Sequence, residues 1–192
     1  MTHELRLEWP AAEPLTTALI RLTRQLEDKC GPLLLQLPPS FDRSPLNRRA
    51  LATFLDAIPT DELQLAVELR HAAWADESIE RAFAERNIAW CVVEGYTPNA
   101  RSLLFPADFV YARWNRSGLQ FNGYTEIQHD RADALDWWAT VLTTLPPRVK
   151  TVYGYMADEF AGHAPTSLRM LCDRLGLPSV EPRSRWPQPA LF

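Results

Sequence analysis

Five short apolar runs recur along this 192-residue chain: Leu33–Leu37, Leu65–Leu69, Ala89–Val93, Phe109–Tyr111 and Val152–Tyr155. Most are separated by segments with helical periodicity, and each stops on charged or ring-bearing residues. Strands alternating with helices build a parallel sheet, because two parallel strands need a long crossover between them, which a helix supplies. In such sheets ligands collect at the carboxyl ends of the strands. Function is therefore to be sought at Gln36, Glu68, Arg70, His71, Glu94, Arg113, Asp158 and His163.

The intervening segments carry helix signals. From Pro14 to Asp28, residues Leu15, Ala18, Leu19, Leu22 and Leu26 share one face. Ser44-Pro45 is a helix start, a capping hydroxyl followed by proline at the first helical position. Leu46, Ala50, Leu51, Phe54 and Leu55 then form the expected buried stripe, which stops at Ile58-Pro59. A loop through Trp74 leads to a short helix over Ser78–Arg86, with Asn87 as its cap. Asp133–Thr144 is expected to turn Leu135, Trp138, Ala139 and Leu142 inward. Pro165 opens a last helix whose Leu168, Met170, Leu171 and Leu175 pack inward before Gly176 caps it. Gly95–Pro106 and Trp114–Asp130 read as loops. Beyond Pro178 the chain is Pro-rich and polar, which divides it into a domain over 1–177 and a tail over 178–192.

Composition narrows the functional classes. An apolar fraction of 46% with 23% charged residues suits a water-soluble domain, and no run approaches the length needed to span a bilayer. Met1-Thr2-His3-Glu4 has none of the features of a signal peptide, so a cytoplasmic location with no membrane partner is expected. Cys30, Cys91 and Cys172 are odd in number and far apart, which excludes a disulfide framework and a thiolate zinc site. The net charge of −4 gives no general attraction to nucleic acid. Lys occurs only at 29 and 150, so 18 of the 20 basic residues are Arg, the side chain that grips planar anions through paired hydrogen bonds.

Five strands do not close a (β/α)8 barrel, so the pattern allows an open sheet or the later part of a barrel. Specific segments favour the second. Gly31-Pro32-Leu33-Leu34-Leu35-Gln36-Leu37-Pro38-Pro39-Ser40-Phe41, Val67-Glu68-Leu69-Arg70-His71 with Trp74, Asp108-Phe109-Val110-Tyr111-Ala112-Arg113, and Tyr153-Gly154-Tyr155 with Ala161-Gly162-His163-Ala164-Pro165 follow one another in order. Together they resemble the signature blocks of the YecE-like family, also called domain of unknown function 72. The resemblance implies an α/β, TIM-like barrel. The family's first three strands have no counterpart here, so it implies an incomplete barrel of about five parallel strands, equivalent to strands four to eight, with flanking helices. Trp114-Asn115-Arg116 and Met156-Ala157-Asp158 differ from the residues many members carry at those places.

The candidate chemistry centres on Glu68 and Arg70. Two apart on a strand, they project to one side. With Gln36 and Arg113 they offer a cluster in which the arginines bind a phosphate or carboxylate and Glu68 acts as base. The competing reading is an internal salt-bridge network. His71 and His163 are candidate acid–base groups, and Trp74 and Asp158 candidate substrate contacts. Glu94 and Asp158 offer further carboxylates to a divalent metal, but no tight ligand motif specifies one, so the cofactor stays open. Trp74, Tyr96, Trp114, Phe121 and Tyr124 supply rings on which bases or sugars could stack, or that simply pack. These features point to a hydrolase or lyase acting on a phosphorylated or nucleic-acid substrate. The alternative is a binding module docking through its tail: Gln188, Leu191 and Phe192 stand as in the Gln-x-x-Leu-Phe peptides that engage bacterial sliding clamps. An open strand edge would also permit self-association.

Overall fold

The computed structural model describes residues 13–60, 62–94, 103–115 and 118–179. Tyr96, Arg116 and the tail residues Gln188, Leu191 and Phe192 lie outside them. The elements run in the order α1 (Glu13–Leu26), β1 (Leu33–Leu37), α2 (Pro45–Ala57), β2 (Leu65–Leu69), α3 (Glu77–Ala84), β3 (Ala89–Glu94), β4 (Phe109–Trp114), α4 (Ala132–Thr143), β5 (Thr151–Met156) and α5 (Ala164–Arg174), with 3-10 turns at Glu27–Lys29, Ala72–Trp74 and Asp158–Phe160. Each apolar run lies within one of the five strands, and β4 continues through Trp114, expected above to open a loop. They form a five-strand parallel sheet flanked by helices, in the order β1-β2-β3-β4-β5. The architecture is consistent with a TIM-like fold.

Two compact units divide the chain. The first comprises Met1–Ala112 and Pro147–Tyr153, and so holds β1, β2, β3 and the opening residues of β4 and β5. Residues 33–37 of β1 pair one-to-one with 65–69 of β2, so that Gln36 stands beside Glu68. Every residue of β2 is buried, as expected of a parallel strand covered on both faces. On one face Ala66, Ala89, Cys91, Val93, Phe109 and Tyr111 cluster, with Leu34 and Tyr153 against them. The Tyr153 hydroxyl donates to Gln64 Oε1 at 2.9 Å, giving the phenol's polar end a partner. Residues of the other parity, among them Val67, Trp90 and Val92, are buried as well, and the Trp90 ring lies 6.2 Å from that of Phe83 on α3. Each such ring or branched side chain contributes about 1.5–3 kcal/mol by leaving water.

The second unit comprises Arg113–Pro146 and Gly154–Phe192. Trp114 is its anchor: the ring meets Trp138 of α4 edge-on at 5.3 Å, and a Cβ at Gly154 would lie 2.7 Å from it. Helices α4 and α5 pack together, and Arg174 Nε donates to Asp136 Oδ1 at 2.5 Å across that contact. The Arg131 guanidinium lies 4.8 Å above the buried Phe160 ring.

Local signals account for most helix ends. Ser44 caps α2 by accepting from the Asn47 N–H at 3.3 Å, with Pro45 in the first turn. Gly176 (φ +65°) ends the α5 segment, and Leu177 N–H returns to Cys172 O at 2.9 Å. Two inward assignments are corrected. Leu46 is 75% exposed, because the buried stripe of α2 runs through Leu51, Phe54 and Leu55 and leaves the first turn open. Leu168 faces outward, since the inward line of α5 is Ser167 and Leu171, and Ser167 is accommodated by donating to His163 O at 2.9 Å. Among the described side chains of α1, Thr23 is buried, while Leu19, Leu22 and Leu26 face solvent.

Candidate functional site

The carboxyl end of β2 brings Glu68, Arg70 and His71 together. Glu68 belongs to the parity of Ala66, so its carboxylate enters the apolar cluster and is only 2% exposed. A carboxylate taken out of water must be paired and hydrogen-bonded. Arg70 supplies this: its Nε–H donates to Glu68 Oε1 at 2.5 Å, while the guanidinium remains partly in contact with solvent. Cys91 Sγ stands 3.9 Å from Glu68 Oε2, as far as a thiol hydrogen bond reaches. Gln36, on the neighbouring strand and aligned with Glu68, is exposed. A buried carboxylate, a largely buried guanidinium and an exposed amide thus share one strand-end.

Two loops frame this end. Their interlock, invisible to sequence inspection, joins residues more than thirty positions apart. Phe41 and Trp74 stack at 5.6 Å with planes 9° apart, and Trp74 Nε1–H donates to Phe41 O at 2.8 Å. Arg43 donates to the Asp76 carboxylate, and to Ser78 Oγ at 2.5 Å. Asp76 also caps α3, accepting from the Ser78 and Ile79 N–H groups at 3.0 and 3.1 Å. Burial opposes its ionisation, but the hydrogen bonds from Ile79, Ser78 and Arg43 outweigh it and hold its carboxyl below the usual range. Asp42 is held low as well, chiefly by the Ser44 N–H, with smaller contributions from the Ser44 hydroxyl and from Asn47. Trp74, a candidate contact for substrate, is 2% exposed; its ring fixes the loop that follows Arg70. His71 Nδ1 accepts from the Ala73 N–H at 3.2 Å, so the neutral ring carries its proton on Nε2.

Of the remaining candidates, Arg113, Asp158 and His163 belong to the second unit and Glu94 to the first. Asp158 Oδ1 accepts from Ala164 N–H at 2.7 Å and so caps α5. His163 Nδ1 is 2.8 Å from Thr166 Oγ1, which also accepts from Arg169 Nη2 at 3.0 Å. Arg113 is the half-buried penultimate residue of β4. Phe121 lies 5.7 Å from Tyr124 and 5.0 Å from His129, in a loop pinned by Gln128, which accepts from Asn122 N–H and donates to Gly123 O, both at 2.7 Å. Glu94 has the parity of Trp90 and Val92, opposite to that of Cys91 beside Glu68. Among the described residues no group of three or more His, Cys, Asp or Glu converges to hold a metal ion, and none of the helices is long and apolar enough to cross a membrane.

The family model described as "Protein of unknown function DUF72" matches residues 1–191. The chain belongs to the DUF72 family. A DUF72 protein of Enterococcus faecalis V583, seen in two crystal structures, superposes with TM-scores of 0.70 and 0.69 at 16% identity; the matches cover 93% and 88% of this chain and 70% and 72% of that one. A DUF72 protein of Thermotoga maritima MSB8 gives 0.61 at 23% identity, covering 81% of this chain and 62% of its own. At these identities the likeness is one of fold. No curated protein matches this DUF72 chain.

Proposed function

We propose that the carboxyl end of β2 is the substrate site of a hydrolase or lyase acting on a phosphate-bearing molecule. On this reading Arg70 holds the anion, Glu68 accepts the proton and His71 donates one. The strands belong to a TIM-like barrel, incomplete in this chain, whose mouth lies at their carboxyl ends. The observation that carries the proposal is the Glu68 carboxylate, almost wholly buried in an apolar cluster yet joined to Arg70. Apolar side chains of similar volume would fill such a place at no cost, and often with a gain, in stability, so a charge kept there calls for a use. Arg70 offers a planar donor array suited to phosphate oxygens, and Gln36 an amide on the neighbouring strand, in register with Glu68. The loops locked by Trp74 and Arg43 supply the rigid surround that pre-organised chemistry requires. A net charge of −4 favours a small phosphorylated substrate over a nucleic-acid duplex.

Calorimetric titration with inorganic pyrophosphate tests the assignment. Arg70→Ala is expected to weaken binding at least about tenfold, roughly the loss of one charge-assisted hydrogen bond. Glu68→Gln should keep binding but abolish turnover of any phosphorylated substrate found for the wild type. Equal affinity of wild type and Arg70→Ala, with both still folded at the titration temperature, would remove Arg70 from its role.

A further inference from the structure

We propose that His71 is a pH-sensitive latch on the turn that follows Arg70, shut while its ring is neutral and released when it is protonated. Its effect on a ligand rests on the proposed β2 site; the latch itself does not. The His71 side chain caps the 3-10 turn Ala72–Trp74, its Nδ1 accepting from the Ala73 N–H at 3.2 Å. That bond uses the Nδ1 lone pair, which protonation replaces with a second N–H, so the cation and the cap exclude each other. Among ordinary side chains only histidine changes charge between about pH 5 and pH 8. The proton that His71 is to donate is therefore held only in the released form.

The surroundings provide the cation with its own partner. Asp42 of the β1–α2 loop is fixed as a carboxylate by the Ser44 N–H at 3.1 Å and Asn47 Nδ2–H at 2.7 Å, both on Oδ1. Its carboxyl, held low chiefly by Ser44, is lowered a little further by a charge on His71, so ring and carboxylate lie within electrostatic reach. The other charged groups around the turn are engaged elsewhere: Arg70 with Glu68 on β2, and Arg43 with Asp76 at the head of α3. The two remaining ties do not titrate in this range. Trp74 Nε1–H is held by Phe41 O at 2.8 Å, and Arg43 by an Asp76 carboxyl already lowered from 3.8. They anchor the far end of the turn, so protonation frees only the end beside Arg70 and sets a second cation next to that guanidinium.

Nitrogen-15 NMR of the full chain reads the latch with no ligand present. Between about pH 8 and about pH 5 the Ala73 amide is expected to shift with the midpoint of the His71 ring, and its protection from hydrogen exchange to fall about fivefold, the worth of one hydrogen bond. In His71→Asn, whose side-chain oxygen caps without titrating, the Ala73 amide should stay still. In Asp42→Asn the wild-type shift should persist with its midpoint at lower pH, the cation having lost its carboxylate. Calorimetry then gives the pyrophosphate affinity at about pH 5.5 relative to about pH 7.5, a ratio expected to be severalfold larger in the wild type than in His71→Asn. An Ala73 amide that ignores the His71 titration overturns the latch. A moving amide with equal ratios in both proteins overturns its link to Arg70. A moving amide with no pyrophosphate bound by either protein overturns the β2 site and leaves the latch standing.

Discussion

Glu68 is the residue on which stability and the proposed chemistry meet. Replacing it with Ala leaves the Arg70 guanidinium without its carboxylate in a largely buried place and should cost about 3–5 kcal/mol in urea unfolding. A cost near zero would show that the pair contributes little. Trp74→Phe keeps the stack on Phe41 but leaves the Phe41 carbonyl without its indole donor, for an expected loss of about 1–3 kcal/mol. Asp76 makes a pH prediction. Its carboxyl titrates below its ordinary 3.8, so the stability it confers is complete above that value and is lost as the pH falls through the lowered one. Asp76→Asn keeps the α3 cap but not the charge, and should therefore reduce the drop in urea midpoint between pH 6 and pH 3; an undiminished drop would contradict the assignment. Glu68 and Arg70 could be paired from sequence because two residues apart on a strand is a fixed geometry. The bonds from Arg43 to Asp76 and from Trp74 to Phe41 could not, since they span 33 positions and depend on how two loops fold against each other.

At the level of elements, the strand runs were legible because a parallel strand covered on both faces is apolar without interruption. Helix α2 was legible because Ser44-Pro45 is a strong local start. Helix α3 begins one residue earlier than its spacing suggested: Asp76, with a carboxylate that can accept from both Ser78 and Ile79, takes the capping position. Asn87, expected to cap α3, does adopt the left-handed conformation (φ +51°), two residues beyond the capping Glu85. The α1 stripe was read correctly as apolar, but periodicity reports that a face is apolar and not what covers it. The loop before α4 depends on Gly162, whose φ is +114° and where a Cβ would fall 2.6 Å from Glu126 O. Gly162→Ala should cost about 1–3 kcal/mol, whereas Gly31→Ala, with nothing within 4 Å of the new atom, should be far milder. Thermal melts of the two variants give the comparison, and equal losses would refute it.

On the scale of the whole molecule, burial is uneven across the sheet. All of β2 and nearly all of β3 are sealed, while β5 at one edge has no buried residue. Hydrogen exchange should accordingly protect the amides of Val67, Glu68 and Val92 most and those of β5 far less; uniform protection would contradict the described packing. The sequential strand order was implied by the resemblance to a barrel and not by the strands themselves, whose pattern allowed an open sheet as well. The depth at which the Glu68 carboxylate sits was not legible, because it depends on Cys91 and Ala89 of the next strand. The central claim is that Arg70, steadied by Glu68, receives a phosphate-bearing ligand. Its most direct test is the Arg70 Nε–H resonance of protein labelled with nitrogen-15 arginine, followed as pyrophosphate is added. That resonance is expected to shift and saturate with the binding isotherm in the wild type; a signal that stays still while other arginine resonances move would place the anion elsewhere.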